Sequence, residues 1–247
     1  MRKTFVRYLF IAVLLIALAA ALHYVHYLIF HDPHHIFIYL LGDVAFLPLE
    51  VLFVAIVVER LLAHQEHKSL IKKLNMLVGT FFGELGTRLL GELTKGLANA
   101  DDIRPYLNVR SDWRAADYKR SLARVRTFGY EFDQRKLDLG SLRDLLTERR
   151  NLLLMLLANP NLLEHERFTD LLWAVFHLME ELSARESLSG LPETDLKHLG
   201  GDVRRVYSML TSEWLYYCRH LQRRYPYIFS IIVRTHPLQE TPNATVR

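Results

Sequence analysis

Residues 8–58 read YLFIAVLLIALAAALHYVHYLIFHDPHHIFIYLLGDVAFLPLEVLFVAIVV, and their permanent charges are Asp32, Asp43 and Glu50 alone. Segments from about Tyr8 to Phe30 and from about Ile36 to Val58 each have the roughly 20 apolar residues that a helix needs to cross a bilayer. Helix is the expected form, because hydrocarbon offers no partner to a free backbone N–H or C=O. Pro33, in the intervening HDPHH, ends helical structure there. The pattern predicts an antiparallel two-helix hairpin over residues 1–60.

Charge sets the orientation. Arg2, Lys3 and Arg7 precede the first segment, HDPHH has no Lys or Arg, and Arg60, Lys68, Lys72 and Lys73 follow the second. Both termini are therefore expected in the cytoplasm of a multi-pass protein of the cell (inner) membrane. The opening MRKTFVRYLFIAVLLIALAAA also has the form of a secretory signal peptide, with small residues at Ala19 and Ala21. Its apolar run continues to Phe30, longer than such a leader needs, so the anchor reading is preferred.

The chain is 51% apolar with a formal net charge of +4. Much of the excess lies beside the two segments, where membrane lipids are the natural partner. Nucleic acid is not expected, since no aromatic RNA-binding motif or zinc-finger spacing is present. A single cysteine, Cys218, excludes an internal disulfide framework.

Ionisable groups within a span are costly and call for partners. Counting outward from Pro33 puts His23 level with Asp43, which suggests a buried pair; Glu50 finds no polar counterpart. His26, His31, His34 and His35 with Asp32 offer metal-ligand chemistry at the loop, although their spacing matches no named motif. A solvated loop is the plainer account of these histidines.

Residues 61–100 carry Leu61, Leu62, Leu70, Leu74, Leu77, Val78, Phe81, Leu85 and Leu89 at helical spacing, an amphipathic juxtamembrane helix. Gly79, Gly83 and Gly86 form a small-residue row suited to close helix packing, either within the domain or between two copies. Residues 101–235 show recurrent helical stripes and no useful alternating run, which predicts a bundle of four or five helices. Ser111 is expected to cap one helix through Phe128, and Ser141 another that stops before Asn159-Pro160. Gly200-Gly201 suggests a bend. Tyr225–Val233 is apolar and too short to span, while residues 236–247 read as a disordered tail.

Catalytic motifs are missing: the sequence has no G-x-S-x-G, P-loop or H-E-x-x-H. His177, Glu180 and Glu181, with Asp195 and His198 and with Glu164, His165 and Glu166, are candidates for a carboxylate–histidine metal centre. They lack the paired Glu-x-x-His motifs of ferritin-like di-iron proteins. Cofactors are unknown, and a non-enzymatic role is favoured.

Four stretches, HHIFIYLLGDVAFLPLEVL, KLNMLVGTFFGELGTRLL, NPNLLEHERFTDLLWAVFHLMEEL and YPYIFSIIVRTHP, together resemble a family of uncharacterised prokaryotic two-pass membrane proteins. The resemblance implies topology and carries no activity. The expected whole is an all-α protein: a transmembrane hairpin followed by a cytoplasmic helical bundle that serves as a scaffold or sensor through a homo-oligomer or protein partner. The alternative is a membrane metal- or ion-handling protein built on the loop histidines, Asp43 and Glu50.

Overall fold

In a computed structural model, residues 2–239 and 241–245 are described; the side chains of 2–7, 35, 67, 163 and 164 lie outside the description. The chain forms two compact units, Met1–His67 and Lys68–Arg247. Regular structure is helical throughout, and an isolated antiparallel bridge joins Leu97 to Phe132.

In the first unit, α1 (Arg2–Phe30) ends where His31 adopts φ 51° and its N–H donates to the Tyr27 carbonyl. Helix α2 (Pro33–Phe81) starts at once. Asp32 Oδ1 accepts the His34 N–H at 2.9 Å, and Pro33 takes the first helical position, where a missing N–H costs nothing. The link is thus two residues long, and the second helix begins at Pro33 rather than Ile36, because Asp-Pro is a start signal as well as a break. The helix continues through Pro48.

Both apolar windows, in Tyr8–Phe30 and from Ile36 onward, are long and apolar enough to cross a membrane, and neither is buried. Among described side chains from Tyr8 to Glu66, His26 and Ile36 are half-buried and all others are exposed.

The second unit holds the core. Leu74, Val78 and Phe81 at the end of α2 are buried, so the segment expected as a separate juxtamembrane helix supplies part of the bundle itself. A π-helical turn, Phe82–Gly86, follows; the Thr87 N–H and hydroxyl both donate to the Phe82 carbonyl. The wider turn lets adjacent Phe81 and Phe82 both reach 0% exposure. Gly86 is obligatory here, since a Cβ would lie 2.6 Å from Phe81 Cε1 and 2.8 Å from Phe82 Cδ1.

Short helices α3 (Thr87–Lys95), α4 (Ala100–Leu107), α5 (Ala115–Thr127), α6 (Leu139–Glu148) and α7 (Arg150–Leu157) precede the long α8 (Glu166–Ser183) and α9 (Glu193–Arg224). The Asp117 carboxylate accepts the Arg114 N–H to start α5, and Asp138 accepts the Ser141 N–H to start α6. Ser111 and Ser141 are therefore not the caps; an acidic side chain satisfies the free N–H in each case. One expected helix also divides at Arg149 into α6 and α7, so the bundle exceeds five helices.

Helix α9 is the axis of the unit. Its Trp214 and Tyr217 pack on Phe82, the Tyr217 ring stacking at 4.8 Å, and Trp214 Nε1 donates to the Leu107 carbonyl. Tyr207 shares a hydrogen bond with Thr94, and Tyr130 shares one with Thr211. Helix α9 runs unbroken through Gly200 and Gly201; a Cβ on Gly200 would strike the Gln134 side chain, so this glycine admits a neighbour. Tyr225 to Val233 fall in or beside α10 (Pro226–Thr235), which packs on α9 through buried Phe229. The tail beyond it is not loose throughout: His236 packs on the Trp214 ring, and both His236 and Leu238 are 1% exposed.

Candidate functional site

Helices α8 and α9 pack side by side, burying Leu171, Leu172, Val175, Leu178 and Leu182 from one and Leu199, Val203 and Val206 from the other. The edge of this seam gathers polar groups. His177 and Glu181 are one turn apart on α8, and His198 and Asp202 repeat the spacing on α9, so each pair shares a helix face.

The four side chains interlock. His177 Nε2 lies 3.8 Å from Glu181 Oε1 and 3.7 Å from Asp202 Oδ1. His198 Nε2 lies 3.6 Å from Glu181 Oε2 and 3.5 Å from Asp202 Oδ2. Each imidazole thus faces one oxygen of each carboxylate. The histidine side chains are about half exposed, at 45% and 55%, whereas that of Asp202 retains 4%. Asp202 Oδ2 has no hydrogen-bond partner, an uncommon state for a buried carboxylate oxygen.

Arg185, at the end of the seam, closes the turn between the helices. Its Nε and Nη2 donate to Asp195 at 2.8 and 2.6 Å, and Nη1 donates to Glu181 Oε2 at 2.9 Å and to the Glu181 carbonyl. These hydrogen bonds hold the Glu181 and Asp195 carboxyls below the usual carboxylate range. Glu181 therefore stays an anion and an acceptor. Arg205 Nη1 approaches Asp202 Oδ1 at 3.5 Å.

Of the residues expected to contribute a carboxylate–histidine centre, His177, Glu181 and His198 meet here. Glu180 faces Arg150 at 3.8 Å, Asp195 turns to Arg185, His165 accepts the Phe168 N–H to cap α8, and Glu166 is exposed. The Glu164 side chain lies outside the described residues. Asp202 was not expected; the repeat of His-x-x-x-acid at 177/181 and 198/202 is the signal that points to it.

Other candidates lie elsewhere. His31 is in the link, Asp32 caps α2, and the His35 side chain is outside the described residues. His23, Asp43 and Glu50 are exposed, and no ion pair joins His23 to Asp43. Among the described residues no group of three or more histidine, cysteine or acidic side chains could hold a metal ion. Gly83 has nothing near its absent Cβ, and Gly79 meets only Tyr217 at 3.9 Å. Cys218 is fully buried, which pushes its thiol well up and leaves it protonated.

Comparison with known proteins follows the same division. Residues 3–62 match the family described as MJ1433, N-terminal helical domain, and residues 70–234 match the uncharacterized protein MJ1433, C-terminal helical domain. The chain is 42% identical over 229 residues to uncharacterized protein MJ1433 of Methanocaldococcus jannaschii, covering 93% of this chain and 92% of that one. No solved structure matches. The chain belongs to the MJ1433 family, in agreement with the resemblance of its sequence to an uncharacterised prokaryotic family.

Proposed function

We propose that this member of the MJ1433 family is a two-pass membrane protein whose helical domain works inside the cell as a non-enzymatic scaffold or sensor. One observation carries the reading: both apolar windows leave all of their residues unburied within the chain. Exposed apolar surface costs about 25 cal/mol per Å² in water, so a pair of such windows calls for a hydrocarbon solvent. Lysines and arginines at both outer ends of the pair, and none in HDPHH, support a cytoplasmic domain. A surface carboxylate–histidine seam in place of a catalytic motif supports a sensing or docking role, exercised through a second copy or a protein partner.

The test uses the buried state of Cys218, which silences the native thiol. Introduced cysteines His34→Cys and Gly129→Cys, both at exposed positions, are labelled with a membrane-impermeant maleimide. Labelling of His34→Cys in intact cells, and of Gly129→Cys only after lysis, is the expected result. The opposite pattern overturns the orientation, and release of the protein from membranes by alkaline carbonate overturns the anchor.

A further inference from the structure

We propose that one end of the second unit binds anionic phospholipid at the membrane surface, through the Lys68–Met76 stretch of α2, the last turn of α9 and the outer face of α10. Such docking rests on the anchored reading of the protein and extends it to a second contact with the bilayer. Charge at this end is one-sided. Residues 67–83 and 214–239 contain Lys68, Lys72, Lys73, Arg219, Arg223, Arg224 and Arg234 and no Asp or Glu, although the whole chain nets only +4. The two stretches pack together, Phe82 lying against Trp214 and Tyr217. Lys68, Lys72, Lys73, Arg223 and Arg224 are all exposed. Cations gathered without acids repel one another, and a leaflet of phosphate headgroups relieves that repulsion.

Shape agrees with charge. Helix α10 buries Phe229 but leaves Tyr227 73% and Ile231 46% exposed, one turn apart on its outer face. An outward tyrosine and isoleucine beside arginines suit a helix that lies in the headgroup layer. Next to it is a recess of about 230 Å³, walled by Met76 and Gly79 of α2, Tyr217 and Leu221 of α9, and Tyr225 and Ile228. These walls suit the upper part of an acyl chain, while Lys72, which also lines the recess, suits the phosphate. Connectivity selects the bilayer over a soluble anion. The chain enters this unit at Lys68, ten residues after the apolar segment ends near Val58. Even fully extended, that link holds this end within about 35 Å of lipid. A tether of this length raises the effective concentration of headgroups far above that of a free ligand.

The experiment uses the full chain in lipid nanodiscs, made of phosphatidylcholine alone or of equal parts phosphatidylcholine and phosphatidylglycerol. An environment-sensitive fluorophore is attached at Ser230→Cys on α10 or, as a control on another exposed surface, at Gly129→Cys; buried Cys218 stays unlabelled. Expected is a blue shift with quenching by spin-labelled lipid at position 230 in the anionic discs alone, position 129 remaining aqueous in both. Lys72→Gln/Arg223→Gln/Arg224→Gln should lower the docked-to-undocked ratio about 100-fold, at roughly fivefold per cation beside an anionic leaflet. Its unchanged helical circular dichroism would show that the fold is kept. A label at 230 that stays aqueous in anionic discs overturns the docking while the anchor stands. So does an equal shift in both lipids, an equal shift at 129, or displacement by millimolar inorganic phosphate, which would assign the cations to a soluble ligand. A chain that does not stay with the discs at all removes the anchored reading, and the docking falls with it.

Discussion

The two units use the same apolar residues to opposite ends. Phe53 is 69% exposed and Leu41 72%, while Phe82 and Leu85 are at 0%. The difference lies in what surrounds them along the chain. From Leu74 onward each apolar stripe has a polar face behind it, so packing can hide one side and leave the other to water. Between Tyr8 and Val58 the helices are apolar on every side, and folding against a neighbour could cover only a fraction of that surface. Whether a phenylalanine is buried is thus decided by the polarity of the rest of its helix.

Five changes would sharpen this contrast or break it. Phe82→Ala should cost about 3–5 kcal/mol in chemical denaturation of the domain, because its ring is enclosed by Trp214 and Tyr217. Phe53→Ala should leave the same transition unmoved, and an equal loss there would erase the distinction. A lysine placed mid-segment, Leu47→Lys, should reduce membrane insertion by about 2.5–3.5 kcal/mol in a glycosylation-reporter assay. Full insertion of that variant would count against a hydrocarbon environment.

The fourth change is in pH. Burial pushes the His236 imidazole down to about 4 from its ordinary 6.5, against a smaller upward pull from the Val109 backbone. Folding therefore favours the neutral ring, and the unfolded chain takes up a proton first as pH falls. Stability should be lost between pH 6.5 and about 4, by about 3 kcal/mol in all, and His236→Phe should flatten that part of the profile. The smallest effect is expected at exposed Gly83, where an added Cβ meets nothing. Gly83→Ala should stabilise the helix by up to about 1 kcal/mol, and a loss of self-association instead would reveal a seam between copies.

Much of the helical architecture is legible in the residues. The apolar segments, the stripes of α8 and α9 and the lack of strands among the described residues follow from periodicity, which is a local property. What escapes depends on neighbours distant in sequence. Nothing near Gly200 announces that Gln134 will fill the space beside it, and nothing near His236 announces Trp214. The helix starts expected at Ser111 and Ser141 are held by acids instead: Asp117 accepts the Arg114 N–H and Asp138 the Ser141 N–H, and both carry charge that favours a helix start. The seam was half visible: His177, Glu181 and His198 were named as candidates, but the register that brings Asp202 between them arises only when α8 and α9 pack.

Anyone trimming this protein for crystals should respect the plug that follows α10. The match to the C-terminal family domain ends at residue 234, two residues short of His236. A cut there would strip His236 from Trp214 and take Pro237 from Gly91, where a Cβ would come within 2.8 Å of the proline ring. Leu238, 1% exposed, would go with them. The stable fragment must run at least through residue 239, five beyond the end of the matched family domain.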